Sequence, residues 1–157
     1  MRYLLIGACA AAQLSLIGAA QAETPLMAPI HQFVDSFNKG DEKAAAKSFA
    51  PGTISIIDEI PPHLWVGADA LRRWGRDLEA ASKAGGFSDE SVTLGDASRE
   101  DINGNAGYVV VPVVFSYKEK GAAKREPAQI VFTLKQLSKR WLITGWTWVG
   151  GKEEPAK

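Results

Sequence analysis

The chain has 157 residues with 18 basic and 18 acidic side chains, so its formal net charge is zero. A chain with this balance of charges has no excess of basic side chains of the kind with which proteins bind nucleic acid or anionic lipid. Cys9 is the only cysteine, which excludes an internal disulfide. Once residues 1–22 are removed, the chain also has no thiol nucleophile and no thiolate metal ligand.

Residues 1–22 are predicted to be an export signal. Arg2 provides a positive charge, an apolar stretch follows, and Ala20-Gln21-Ala22 matches the small-x-small rule of signal peptidase. Because the apolar stretch is shorter than the roughly 20 residues of a membrane span, we expect no membrane anchor. Cleavage after Ala22 leaves a periplasmic or secreted protein of 135 residues with a net charge of −1.

The exported chain is predicted to form one domain, because its length is ample for one core and short for two. A leader covers residues 23–28, the domain covers residues 29–151, and a polar tail covers residues 152–157. No internal repeat or linker divides the domain.

Three helices are predicted in the first half of the domain. The first begins at Pro29 and stops at Gly40, and Asp41 caps a short second helix. The third covers residues 67–84. The apolar stripes of the first and third helices are Ile30, Phe33, Val34 and Phe37, and Leu71, Trp74, Leu78 and Ala81.

The remaining segments are predicted to be strands. A β-branched strand over residues 53–59 ends at Pro61-Pro62, and the second half of the domain reads as an antiparallel sheet with short turns. Pro112 requires a bulge or a missing ladder bond in its strand. Helices followed by long strands predict an α+β fold in which three helices cover one face of a curved antiparallel sheet. The four later strands are placed at residues 91–100, 106–118, 127–136 and 141–149.

The last two strands have informative alternation. Ile130, Phe132 and Leu134 are predicted to face inward. On the last strand, simple alternation places Trp146 and Trp148 on one face and Trp141 with Ile143 on the other. One aromatic face would line a cavity or belong to the core, and the other would pack under a neighbouring strand or support a homodimer.

The order of these elements, the segment IDEIPPHLWVG and the closing strand WLITGWTWVGG resemble the nuclear transport factor two-like superfamily, in its SnoaL-like branch. The resemblance implies a cone-shaped sheet wrapped around the helices, with a pocket at its open mouth. The superfamily includes ketosteroid isomerase, polyketide cyclases, dehydratases, hydrolases and proteins that only bind or dimerise. The fold therefore does not decide the function.

Asp58 is the first candidate for chemistry. With Ile54 and Ile56 facing inward, alternation points Asp58 into the cone and Glu59 outward. A carboxyl group in a partly desolvated pocket has a raised pKa, as a general base requires. Asp58 lies nine residues before Gly67, a spacing similar to that of the isomerase base. In the alternative interpretation, Asp58 caps the Pro-Pro turn or pairs with an arginine.

The resemblance to ketosteroid isomerase does not extend to the oxyanion donors. The positions of the family's tyrosine and protonated aspartate correspond to Phe33 and Phe132 in this chain. A phenyl ring donates no hydrogen bond to a developing enolate. Steroid isomerisation by that mechanism is therefore not expected.

The other candidates form the predicted pocket. His63 at the rim would move protons near neutral pH or would be an ordinary surface histidine. The two histidines are too far apart in sequence to suggest a metal site, and neither a metal nor another cofactor is expected. An apolar cone suits a small hydrophobic molecule. Its predicted ligand contacts are Phe33, Trp65, Trp74, Phe132, Trp146 and Trp148.

Two functions remain open at this point. The favoured one is an exported SnoaL-like domain that binds a small hydrophobic ligand, serves as a dimeric accessory module, or does both. The alternative is a cofactor-free isomerase, dehydratase or hydrolase with Asp58 as general base. The missing oxyanion donors favour binding, because charge stabilisation supplies several kcal/mol of a barrier.

Overall fold

The computed structural model describes residues 24–156. The predicted export signal, residues 1–22, lies outside them. Within the described residues, the helices are α1 (Met27–Asn38), α2 (Glu42–Ala46) and α3 (Ala70–Gly85). The strands are β1 (Ile54–Ile57), β2 (Leu64–Gly67), β3 (Phe87–Leu94), β4 (Arg99–Asn103), β5 (Ala106–Glu119), β6 (Ala122–Leu137), β7 (Arg140–Val149) and β8 (Glu154–Pro155).

The helices begin and end close to residues that favour helix termini. Asp41 caps α2 by accepting a hydrogen bond from the Ala44 backbone N–H at 2.9 Å. Gly40 and Gly86 follow α1 and α3 with φ of +66° and +73°, the left-handed conformation that glycine adopts at helix ends. α1 starts at Met27, two residues earlier than predicted. No helix among residues 24–156 is long and apolar enough to cross a membrane.

The strands form one open, curved sheet, as the α+β prediction requires. Its order is β2-β1-β7-β6-β5-β3, with β4 also beside β5 and β8 beside β6. The sheet is mixed rather than wholly antiparallel, because β1 runs parallel to β7. Side chains of α1 and α3 pack on one face of this sheet and form a single core with it.

The edge beside β5 is broken, as Pro112 predicts. The expected strand over residues 91–100 is two strands, β3 and β4, whose pairing with β5 is interrupted opposite Pro112. The Gly95 N–H donates to the Pro112 carbonyl at 2.8 Å, so the missing proline N–H lies on this same edge.

Two chain segments join the sheet that were not predicted to do so. The Pro-Pro corner folds back as β2, where Trp65 pairs with Ile56. The third helix consequently begins at Ala70 rather than at residue 67. At the C terminus, residues 154–155 of the predicted polar tail form β8 and pair with Arg125 and Lys124 of β6.

A β-bulge in β7 overturns the prediction that this strand is aromatic on both faces. Thr133 pairs with Gly145 and Leu134 pairs with Ile143, so Thr144 has no opposite residue. An extra residue reverses the alternation beyond it. Trp141, Ile143 and Trp146 are therefore all buried, and Trp148 packs against the same core.

Candidate functional site

A cavity of about 190 Å³ lies between α1, α3 and the inner face of the sheet. Residues of α1 and α3 form one side, and residues of β3, β5, β6 and β7 form the other. Most of the wall is apolar, as in pockets that bind small organic molecules. Its aromatic residues include Phe33, Phe37, Trp74, Phe115, Trp146 and Trp148.

The aromatic wall is held by contacts among its own rings. Trp74 and Trp146 meet edge to face, with ring centroids 5.0 Å apart and an interplanar angle of 86°. Phe33 lies 6.0 Å from Trp146, and Phe115 lies 6.0 Å from Trp148 in a second edge-to-face pair. Such pairs are worth about 0.5–1.5 kcal/mol beyond burial, so the wall is preformed.

Asp58 lies in this wall, on the inward side that alternation in β1 predicts. The Trp74 indole N–H donates to its Oδ2 at 2.7 Å, and the Glu59 backbone N–H donates to its Oδ1 at 2.6 Å. Burial raises the pKa of Asp58, although both hydrogen bonds act to lower it. No described arginine pairs with Asp58. Its role as a general base remains a prediction.

Glu59 also lines the cavity, contrary to the prediction that it faces outward. Strict alternation holds only within a strand, and β1 ends at Ile57. Beyond that end, the chain turns and both carboxyl groups reach the same opening. Burial, together with the negative charges of Glu126 and Asp58, raises the pKa of Glu59.

Sequence reasoning missed five polar residues of the cavity, namely Ser82, Glu90, Tyr117, Glu126 and Glu153. Glu126 is 8 % exposed and accepts a hydrogen bond from the Gly151 N–H at 2.9 Å. The Tyr117 hydroxyl donates to Glu153 at 2.6 Å, and burial followed by this bond raises the pKa of Tyr117. Glu126 continues the inward alternation of Ile130. This signal was hidden because the predicted strand starts at residue 127, five residues after the observed start at Ala122.

His63 is not brought into the cavity. It is exposed on the turn between β1 and β2 and has φ of +72°. Its Nδ1 lies 3.2 Å from the backbone carbonyl of Asp58, not from the carboxylate. A proton-shuttling role for His63 therefore has no geometric support.

The six predicted ligand contacts divide into two groups. Trp65 and Phe132 do not line the cavity, because they are only 1 % and 0 % exposed and are packed in the core. The Trp65 indole N–H donates to Asp77 at 2.9 Å, away from the opening. The other four, Phe33, Trp74, Trp146 and Trp148, all line the cavity.

Three of the five side-chain hydrogen-bond donors in the described cavity wall are already used by carboxylates. Trp74 donates to Asp58, Tyr117 donates to Glu153, and Ser82 donates to Glu90 at 2.8 Å. The indole N–H groups of Trp146 and Trp148 are not used in this way, and the buried Trp146 N–H has no partner among the described residues. The arrangement can hold an apolar molecule against carboxyl groups, but it offers few donors for a developing oxyanion.

A metal centre is not assembled in the described part of the chain. No three His, Cys, Asp or Glu side chains of residues 24–156 come together in a way that could hold a metal ion.

No family model matches the sequence, and no curated protein is significantly similar to it. Solved structures do resemble it. A type 2 hexachlorocyclohexane dehydrochlorinase, LinA, is 9 % identical with a TM-score of 0.68, and the match covers 83 % of this chain and 88 % of that one. A nuclear transport factor 2-like superfamily protein from Salmonella enterica serovar Typhimurium is 17 % identical with a TM-score of 0.63, covering 82 % and 87 %.

A ketosteroid isomerase-like protein from Erwinia carotovora atroseptica is 14 % identical with a TM-score of 0.60, and the match covers 80 % of this chain and 92 % of that one. At these identities, the likeness concerns the fold alone. The chain has the nuclear transport factor two-like fold, as its sequence pattern predicts.

Proposed function

We propose that this nuclear transport factor two-like domain is exported to the periplasm or medium and binds a small, largely apolar molecule in its cavity. The preformed aromatic wall is the observation that carries the proposal. A cavity of about 190 Å³ is somewhat larger than the cavity of about 150 Å³ that holds benzene in an engineered protein. The expected ligand is therefore a single substituted ring or a molecule of similar size.

A second candidate function is base catalysis by Asp58, in a cofactor-free isomerisation, dehydration or hydrolysis. It is supported by the raised pKa of Asp58 and by the Trp74 hydrogen bond that orients the carboxylate. Against it, the Trp74, Tyr117 and Ser82 donors of the wall are occupied by carboxylates, and no described lysine, arginine or histidine lines the cavity to stabilise a developing negative charge. Binding without turnover therefore accounts better for the cavity, and product analysis of any bound ligand separates the two functions.

Blocking the cavity tests the proposal. Ala81 of α3 lines the cavity, so Ala81→Phe is expected to fill part of it and to weaken binding of a one-ring probe at least tenfold. Titration with 2-phenylethanol, followed by tryptophan fluorescence, measures this because three tryptophans lie in the wall. Ala84 is exposed on the same helix and does not line the cavity, so Ala84→Phe is the matched control. Equal affinity of wild type and Ala81→Phe would contradict cavity binding.

We also propose a homodimer through the outer face of the sheet, though not through tryptophans. The support is an apolar patch on the adjacent strands β2, β1 and β7, whose side chains are 45–54 % exposed. Burying such a patch removes apolar area from water. The patch consists of Ile57, Leu64, Val66 and Val149.

Light scattering of the wild-type protein at tens of micromolar is expected to give twice the monomer mass. Val66→Glu is expected to shift the protein to monomer, because it places a charge in the apolar patch. Ile102 is 54 % exposed on β4 and lies outside the patch. Ile102→Glu should therefore leave the dimer intact. A monomeric wild type would end this part of the proposal.

A further inference from the structure

The cavity is ringed by carboxyl groups that have no basic partner in its wall. No lysine, arginine or histidine of the described residues lines it. Glu153 reaches Lys124, which lies outside the lining, at 3.4 Å. The lining carboxyl groups are those of Asp58, Glu59, Glu90, Glu126 and Glu153.

Two of these groups are close together at one end of the cavity, and the charge of a third, Asp58, acts on one of them. A methyl group added at Gly150 would meet Glu126 Oε1 at 2.6 Å and would overlap the carboxylate of Glu59. Both carboxylates therefore face the same glycine, and Asp58 directly precedes Glu59. Among the described residues, no basic side chain forms an ion pair or a hydrogen bond with Asp58, Glu59 or Glu126.

The electrostatics of this end of the cavity are those of uncompensated negative charge. The pKa of Glu59 is raised by burial and then by the charges of Glu126 and Asp58, and the pKa of Asp58 is raised by burial. Carboxylates that repel each other in a partly desolvated site are stabilised by a cation brought into it. Such a site disfavours any anionic ligand for the same reason.

Two features of the apolar wall indicate an organic ligand rather than a free ion. Trp74, Trp146 and Trp148 offer indole rings, the best aromatic partners of a cationic group. Trp146 is only 5 % exposed, and its indole N–H is buried with no hydrogen-bond partner in residues 24–156. Buried donors are normally satisfied, so this N–H is the one polar group of the described wall residues that burial leaves unpaired.

We infer that the natural ligand is an organic cation, a protonated amine on an apolar body of about one ring, with its ammonium group beside Asp58, Glu59 and Glu126 and its body against the tryptophans. This inference rests on the proposed binding function and specifies its ligand class. A bare metal ion is disfavoured, because no group of three ligands among residues 24–156 is arranged to hold one.

Three probes of similar shape and different charge test the inference. They are 2-phenylethylamine, 2-phenylethanol and 3-phenylpropanoate, titrated by calorimetry near pH 7.5. The amine is expected to bind at least about tenfold more tightly than the alcohol, and the acid is expected not to bind measurably. Each of the variants Glu59→Gln and Glu126→Gln should weaken amine binding several-fold more than it changes alcohol binding.

Two controls keep the test decisive. Asp101 is exposed on β4 and does not line the cavity, so Asp101→Asn should change none of the affinities. Glu59 is an exposed rim residue, so Glu59→Gln remains informative even if Glu126→Gln fails to fold. Equal affinities for amine and alcohol would overturn the inference and leave the binding function standing. If no probe binds, both the inference and the proposed binding function are overturned. If neither Glu59→Gln nor a folded Glu126→Gln changes amine binding, the placement of the ammonium group beside these carboxylates is overturned.

Discussion

Gly145→Ala is expected to destabilise the protein by about 2–4 kcal/mol, because the new methyl group has no room. A Cβ at this position would lie 2.6 Å from the Ser55 hydroxyl oxygen and 2.7 Å from the Ser55 backbone carbonyl. Ser55 pairs with Gly145 where β1 runs parallel to β7. Separating these strands would also move Asp58 away from Trp146, so ligand binding should weaken together with stability.

Gly75 provides the matched control for this substitution. It lies inside α3, and a Cβ built there meets no atom within 4 Å. Gly75→Ala should therefore stabilise the protein by about 0.5–1 kcal/mol through helix propensity. Urea unfolding of both variants measures the contrast. A Gly145→Ala protein as stable as wild type would show that β1 and β7 are not packed as tightly as described.

Trp74→Phe is expected to cost about 2–4 kcal/mol near neutral pH and less at low pH. The substitution removes indole packing and the side-chain donor of the partly buried Asp58 carboxylate. Because the indole N–H bond lowers the pKa of Asp58, its loss should raise that pKa further. At a pH below the Asp58 pKa of both the wild type and the variant, Asp58 is protonated. Only the loss of indole packing, about 1–2 kcal/mol of unfolding free energy, should then remain.

The sign of the pH dependence follows from the direction of the shift. The folded pKa of Asp58 lies above its ordinary value of 3.8, so the folded state binds the proton more tightly than the unfolded state. Ionised Asp58 therefore costs stability, fully at pH values above the folded pKa. This cost is relieved as the pH falls through the folded pKa towards 3.8. Asp58→Asn should remove the cost and be as stable as wild type, or more stable, near neutral pH.

A double-mutant cycle separates the two contributions. Trp74→Phe should lose its pH-dependent part when combined with Asp58→Asn, because the titrating partner is gone. Free energies of unfolding at neutral pH and near pH 3.5, together with NMR titration of the carboxyl groups, supply the measurements. A pKa of Asp58 below its ordinary value, or a Trp74→Phe effect independent of pH, would contradict a buried, hydrogen-bonded carboxylate.

Features that depend on neighbours in the chain were predictable from the sequence. The Asp41 cap, the glycine stops after α1 and α3, and the inward alternation of Ile130 and Phe132 are all observed. The inward position of Asp58 and the broken edge at Pro112 belong to the same class. Each follows from the stereochemistry of one short segment, which tertiary packing preserves.

Features that depend on where strands end and how distant strands pair were decided only by the tertiary structure. The bulge at Thr144 moves Trp141 to the buried face. Gly145 beside it is a local sign of a bulge, but it does not determine the pairing on either side. The early end of β1 brings Glu59 into the cavity, where Glu126 arrives from a strand more than sixty residues later. The register between such segments is set by the combined packing of the whole core. The carboxyl-lined end of the cavity therefore cannot be predicted from any single segment of the sequence.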